Sequence, residues 1–174
     1  MGATRPRPIG GETMKYFLDT EFIEDGKTID LLSIGIVAED GRTYYAESSE
    51  CDLTRASDWV KENVLPHLLG EEKTRKQIAE DIISFARINP EFWGYYADYD
   101  WVVLCQLYGR MIDLPKGWPM YCRDLKQLLD ERGNPKMPKP LKEHNALSDA
   151  QWNWWVYRKL QKMDPSAVKA ADPK

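Results

Sequence analysis

The chain has 174 residues, three cysteines and a formal net charge of −4 at neutral pH. This length suits one domain with a sizeable core, and no apolar run approaches the ~20 residues that cross a bilayer, so we expect no membrane partner. The three cysteines are an odd number and do not have the spacing of a metal site. They are therefore predicted to be reduced thiols in a cytoplasmic protein. The acidic balance gives no general support for nucleic-acid binding.

The two ends of the chain differ in composition from the middle. Residues 1–13 are polar with glycine and proline, which indicates a disordered tag or an N-terminal extension. We predict one folded domain over residues 14–163 and a disordered tail over residues 164–174. Both ends are therefore excluded from the fold that we predict below.

Hydrophobic runs at the start of the domain predict three strands, over residues 15–22, 31–38 and 42–47. Turn residues separate these runs, and Asp40-Gly41 is a strong hairpin signal between the second and the third. Three consecutive strands joined by short turns form an antiparallel meander. The pattern therefore places an antiparallel unit at the start of the fold.

Helical and strand patterns alternate in the rest of the domain. Ile78, Ile82 and Phe85 recur at helical spacing, for example, and the aromatic run at 92–97 is typical of a strand. In chain order we predict helices over 57–65 and 74–88, a strand over 92–97, helices over 101–108 and 124–132, a loop over 134–142 and a final helix over 146–163. A meander followed by this alternation predicts an α/β fold, with helices flanking a mixed sheet.

Two acids, Asp19 and Glu21, stand at the end of the first predicted strand. Strand side chains alternate between faces, so both carboxylates point the same way. Two adjacent carboxylates repel each other unless a cation lies between them. A solvated strand end is the alternative, but a hydrophobic strand seldom ends in two acids on one face without a function. The pair therefore favours a metal site built from oxygen ligands.

A third acid stands where the fourth predicted strand passes into a helix. Asp98 and Asp100 both occur there, and either could simply cap that helix. Asp100 is the better candidate ligand because the apolar run 102–104 follows it almost directly. Asp98 remains a competitor for the same role.

His144 and Asp149, near the C-terminus, form the most specific pair of candidate functional residues. If both were helical, their side chains would point about 140° apart. They converge only if His144 lies in the preceding loop and Asn145 caps the helix, and asparagine is a favoured N-cap. Asp149 would then lie in the first helical turns, where the helix dipole favours the ionised carboxylate. A surface histidine beside a helix is the alternative interpretation.

Two further groups of residues each have a purely structural interpretation and a functional one. Basic residues precede the pair, either as a solvated loop or as phosphate contacts: Arg132, Lys136, Lys139 and Lys142. Aromatic residues spread around the final helix, beyond one core-facing stripe: Trp152, Trp154, Trp155 and Tyr157. This surplus of aromatic side chains predicts a second buried surface, such as the interface of a homodimer.

The acidic and histidine motifs together resemble those of a known family. Asp19-x-Glu21, Asp100 after a strand, and His144-x4-Asp149 are similar, in order and spacing, to the motifs of the DEDDh 3′–5′ exonucleases of the RNase T superfamily. The resemblance implies an RNase H-like fold with a mixed five-stranded sheet, in which parallel strands extend the meander.

The likeness is greatest to the bacterial polyadenylate-specific 3′-exoribonuclease AS group. It runs through residues 16–45 and 99–109 and covers roughly residues 14–160. One position departs from the family: many DEDDh enzymes carry an asparagine four residues before the motif's aspartate, and here that position is Tyr96.

The resemblance implies hydrolysis of the 3′-terminal phosphodiester of single-stranded RNA, with release of nucleoside monophosphates. Asp19, Glu21, Asp100 and Asp149 would hold two Mg²⁺ or Mn²⁺ ions. His144 would take a proton from the attacking water. An acidic protein can perform this reaction, because two divalent ions offset four carboxylates.

Substrate contacts follow from the same resemblance and from neighbouring residues. Phe22 resembles a residue that packs on the terminal nucleotide, and Trp101 lies beside the predicted ligands. Lys139 and Lys142 are the candidate phosphate contacts, and adenine-rich 3′ ends are the expected substrate. The alternatives are a DNA exonuclease with the same site, a catalytically idle RNase H-like binding module, and a small-nucleotide phosphodiesterase.

Overall fold

The computed structural model describes residues 13–87 and 89–163. The predicted tail over residues 164–174 lies outside the described residues, as does the predicted N-terminal segment except for Thr13. No helix within the described ranges is long and apolar enough to cross a membrane.

The described residues form a mixed sheet with helices around it. Its strands are β1 (Met14–Glu24), β2 (Ile29–Ala38), β3 (Thr43–Ser48), β4 (Glu72–Lys73), β5 (Pro90–Gly94) and β6 (Arg123–Asp124). The α-helices are α1 (Asp58–Asn63), α2 (Arg75–Phe85), α3 (Asp98–Gln106), α4 (Leu125–Glu131) and α5 (Ala146–Gln161). Short 3₁₀ turns occupy Leu53–Arg55, Leu65–His67 and Met111–Asp113.

The strand order in the sheet is β4-β3-β2-β1-β5-β6. The first three strands are antiparallel, while β4, β5 and β6 run parallel to the strands beside them. The predicted α/β fold with its antiparallel meander is confirmed. The sheet has six strands where five were expected, because β4 and β6 are two residues long and leave no alternating pattern in the sequence.

The fourth strand and the helix after it lie earlier than predicted. The strand was expected over 92–97, but β5 ends at Gly94 and Tyr96 adopts the left-handed conformation, with φ of 54°. The following helix begins at Asp98 instead of residue 101. The aromatic run therefore continues past the strand into the turn, so composition alone placed the boundary too late.

Two contacts fix α5 against the middle of the sheet. Gly35 of β2 lies so close to the first turn of α5 that a Cβ atom there would overlap the backbone carbonyl of Ala146. Farther along the helix, the buried amide of Asn153 donates to the Leu18 carbonyl of β1 at 2.9 Å. The N-terminal half of α5 is thereby held against β2 and the middle of β1, where Gly35 pairs with Asp19.

Most aromatic side chains of α5 make contacts with other residues of the same chain. Trp152 donates its indole N–H to the carbonyl of Pro138 at 2.6 Å. The Tyr157 ring lies 5.1 Å from that of Phe17, and the Arg158 guanidinium covers Trp154 at 4.5 Å. These contacts account for most of the aromatic surplus, and the predicted homodimer interface stays a prediction.

Candidate active site

An open cavity of about 610 Å³ lies beside residues 19–22 of β1, between α1, α3 and the loop before α5. Its lining includes all five residues for which the sequence predicts catalytic or metal-binding roles: Asp19, Glu21, Asp100, His144 and Asp149. They come from three elements and one loop that are far apart in the sequence. The fold therefore gathers into one cavity the motifs that the sequence analysis treated separately.

Three carboxylates meet at the centre of this cavity. Asp19 and Glu21 of β1 and Asp149 of α5 each offer an oxygen, and these atoms lie within 4.8 Å of one another. The pairing of β1 with β2 shifts register between Glu21 and Phe22. Such a bulge redirects side chains, and both residues line the cavity.

Asp100 lies beside these three carboxylates but is oriented by β1. Its side chain is only 6% exposed, and its Oδ1 accepts hydrogen bonds from the Thr20 backbone N–H at 2.9 Å and the Thr20 hydroxyl at 2.5 Å. Its competitor Asp98 also lines the cavity but is exposed on the first turn of α3. Burial next to Asp19 favours Asp100 as the fourth acid.

The pKa values of all four carboxyl groups are raised, in each case chiefly by burial. Burial, followed by repulsion from the other three acids, raises the pKa of Asp19 well above its usual value. Burial and repulsion from Asp149 and Asp100 raise the pKa of Glu21 to about 8. Burial raises the pKa of both Asp100 and Asp149 to about 6. Divalent cations would relieve this repulsion, so the donor set fits a metal centre.

His144 reaches the cavity from the loop, as the sequence predicted, because Asn145 caps α5 by accepting from the Ser148 N–H at 3.0 Å. His144 itself has a positive φ of 66°. Its backbone N–H donates to Asp149 Oδ2 at 2.9 Å, and its imidazole meets the Trp59 ring edge-on at 4.8 Å. The same residue thus holds a carboxylate with its backbone and presents its ring to the cavity.

The predicted substrate contacts are distributed unevenly. Phe22 lines the cavity, where its ring packs edge-on against Tyr99 at 5.7 Å. Lys139 and Lys142 are exposed residues outside the cavity lining, and Lys139 pairs with Glu143 at 2.9 Å.

Trp101, a predicted substrate contact, does not line the cavity, so that prediction is wrong. It is only 8% exposed and packs in the core against Phe92, with ring centroids 5.4 Å apart. Position 101 follows Asp100 in the helix, and a helical rotation of about 100° per residue turns its side chain from the cavity into the core.

Several further residues line the cavity that no motif in the sequence indicated. They are aromatic: Trp59, Tyr95, Tyr96 and Tyr99. Tyr95 and Tyr96 lie in the run that was assigned to a strand, and Tyr99 lies between that strand and the next predicted helix, so the sequence did not show that all three line one cavity. Trp59 sits on α1, an element without any motif, and only the tertiary structure brings it near His144.

Comparison with solved structures defines the class of fold. The chain superposes on Escherichia coli exonuclease I in complex with a dT13 oligonucleotide, with a TM-score of 0.64 and 11% identity over 89% of this chain and 42% of that one. Exonuclease I from Methylocaldum szegediense gives a TM-score of 0.61 and 13% identity over 88% and 41%. The fold is the RNase H-like fold of these exonucleases, and the chain spans about two fifths of their length.

Comparison of sequences defines the family. Residues 14–161 match the model of the 3′-5′ exoribonuclease Rv2179c-like domain, so the chain belongs to this family. It is 46% identical over 167 residues to the Mycobacterium tuberculosis protein named 3′-5′ exoribonuclease Rv2179c, covering 91% of this chain and 99% of that protein. The M. tuberculosis protein named 3′-5′ exoribonuclease MT2234.1 matches equally well.

Proposed function

We propose that the chain is a metal-dependent 3′–5′ exoribonuclease, which removes nucleoside monophosphates one at a time from the 3′ end of single-stranded RNA. One observation carries the proposal: an acidic cluster and an imidazole share one open cavity in a member of this exoribonuclease family. The cavity is open enough to admit the end of a polymer.

The donor set favours Mg²⁺ or Mn²⁺ as the cofactor. Carboxylate oxygens suit these hard cations better than they suit zinc. Asp19, Glu21 and Asp149 would hold the metal directly, and Asp100 would complete a site for two ions. When bound, the ions would supply Lewis-acid stabilisation of the attacking and leaving oxygens.

His144 is proposed as the general base. Water attacks the phosphorus of the last phosphodiester, the bond from phosphorus to the 3′-oxygen breaks, and that oxygen takes a proton from solvent. The products are a nucleoside 5′-monophosphate and an RNA shortened by one nucleotide. The imidazole would accept the proton of the water, a role that suits a histidine facing a solvent-open cavity.

The base preference, the oligomeric state and the location are proposed from the family likeness and from features of the surface. We propose adenine-rich 3′ ends as the preferred substrate, supported by the likeness to polyadenylate-specific enzymes and by Phe22, whose ring lines the cavity. A homodimer and a cytoplasmic location remain part of the proposal, with the exposed face of Trp155 as one candidate contact. Sedimentation of the purified protein would measure its oligomeric state directly.

Digestion of matched RNA and DNA tests the activity. Oligo(A) and oligo(dA) of equal length, labelled at the 5′ end, should be compared with and without Mg²⁺ at fixed salt. We expect a ladder of products that shortens by one nucleotide at a time, faster on RNA and abolished by a chelator. Equal rates on RNA and DNA would make the protein an exonuclease without a preference for RNA, and a faster rate on DNA would make it a DNA exonuclease. Binding without cleavage would indicate a catalytically idle binding module.

A further inference from the structure

Aromatic rings in mutual contact connect the cavity to the loop over residues 134–142. We call this segment the basic loop, because it carries Lys136, Lys139 and Lys142. The Tyr96 ring lines the cavity and lies 4.6 Å from the Tyr95 ring, which lies 5.1 Å from Trp152. Trp152 in turn donates its indole N–H to Pro138, inside the loop over residues 134–142. We call these three residues the aromatic ladder: Tyr96, Tyr95 and Trp152.

The outermost ring of the ladder is held in an exposed position by its backbone. Tyr96 is 62% exposed and has a φ of 54°, a conformation that is unfavourable for a bulky residue unless the surroundings impose it. The next residue supplies that constraint, because the Ala97 N–H donates to Asp124 Oδ2 at 2.9 Å. The fold therefore maintains a large aromatic face at the cavity, where neither the core nor the proposed chemistry uses it.

Positive charge accompanies the ladder. Met137 of the basic loop belongs to the same hydrophobic cluster as Tyr95 and Trp152, so the loop lies directly against the ladder. Its cationic side chains are exposed: Lys136, Lys139 and Lys142. A flat aromatic face beside exposed cations is suited to a strand that offers both bases and phosphates.

We propose that the aromatic ladder and the basic loop form a second nucleotide subsite, which binds the RNA upstream of its terminal nucleotide. An upstream base would stack on Tyr96 while lysines of the loop contact the phosphates. Only an unpaired base can offer its face to the ring, so the occupant is single-stranded RNA. The inference rests on the proposed function, and it adds a source of single-strand selectivity outside the acidic cluster.

Binding measurements can separate this subsite from the terminal one. Fluorescence anisotropy with Ca²⁺ would report binding of labelled oligo(A) of about 6 nucleotides, and AMP as competitor would report the terminal site alone. We expect Tyr96→Ala to weaken oligo(A) binding about 5-fold or more, with AMP binding unchanged and Tyr96→Phe close to wild type. The matched control is Tyr121→Ala, which removes an exposed tyrosine that lines a different cavity.

The outcomes distinguish the subsite from the proposed function. An equal loss of oligo(A) and AMP binding in Tyr96→Ala, or no more loss than in Tyr121→Ala, would overturn the subsite. With Mg²⁺, the same variant should raise KM for oligo(A) and leave kcat nearly unchanged. A wild-type protein that cleaves no RNA would instead overturn the proposed function, while the anisotropy measurement would still report whether Tyr96 binds the strand.

Discussion

His144 shows how one residue can serve the site twice. Its backbone N–H holds Asp149, and its ring lies in the cavity against Trp59. Both arrangements depend on a left-handed backbone at a residue other than glycine. Asparagine tolerates this conformation better than most residues do, so a substitution can remove the imidazole and keep the backbone contact.

We predict that His144→Asn lowers kcat about 10²-fold or more, because the proposed base is lost. Binding of Mn²⁺, measured by calorimetry, should survive, since the imidazole is not a proposed ligand and the backbone still holds Asp149. His144→Ala should show the same loss of rate with an additional loss of stability. A variant that fails to bind Mn²⁺ and regains full rate when Mn²⁺ is in excess would make His144 a ligand.

At the scale of elements, the contact between β2 and α5 decides whether the site assembles. Gly35 lets the first turn of α5 lie against the sheet, and that turn carries Asp149. A side chain at this position would push the helix outward. The carboxylate and the preceding His144 would then move away from Asp19 and Glu21.

We predict that Gly35→Ala lowers kcat as well as stability, with a stability cost of about 1–3 kcal/mol from overpacking. Gly41→Ala is the matched control: its φ of 90° makes alanine unfavourable, yet a Cβ there meets nothing within 4 Å. Thermal unfolding should show a lower Tm for both variants, and rates at a temperature where both remain folded should fall only for Gly35→Ala. Full activity of folded Gly35→Ala would contradict the argument.

Motifs with local geometry were predictable from the sequence, and contacts between distant elements were not. The same-face acids on β1 and the Asn145 cap follow from strand alternation and capping preference, and the structure confirms both. Trp101 was misplaced because helical rotation, not proximity in sequence, decides which way its ring points. Trp59 could not be predicted, since nothing in its own helix indicates that it packs against His144.

At the scale of the whole molecule, the acidic cluster couples stability to pH and metal. Without metal, the raised carboxyl pKa values mean that the folded state binds more protons than the unfolded state between about pH 4 and pH 8. Stability therefore falls as pH rises through this window. Carboxylates of lowered pKa, such as Asp25, have the opposite effect only at lower pH.

We predict that the Tm of the metal-free protein decreases from pH 6 to pH 8, and that Asp19→Asn reduces this decrease by removing one of the repelling charges. Added Mg²⁺ should raise Tm more at pH 8 than at pH 6, because the metal binds the deprotonated carboxylates. Differential scanning calorimetry with and without a chelator measures both effects. A metal-free Tm that increases toward pH 8 would contradict the electrostatic account of the cluster.

The contact between Asn153 and Leu18 joins positions 135 residues apart in the chain. During synthesis, β1 with its two acids leaves the ribosome long before α5 and the loop that carries His144 have been made. A growing chain therefore contains no complete catalytic centre while it is surrounded by messenger and ribosomal RNA. Under the proposed mechanism, the order of elements along the chain delays nuclease activity until α5 has docked.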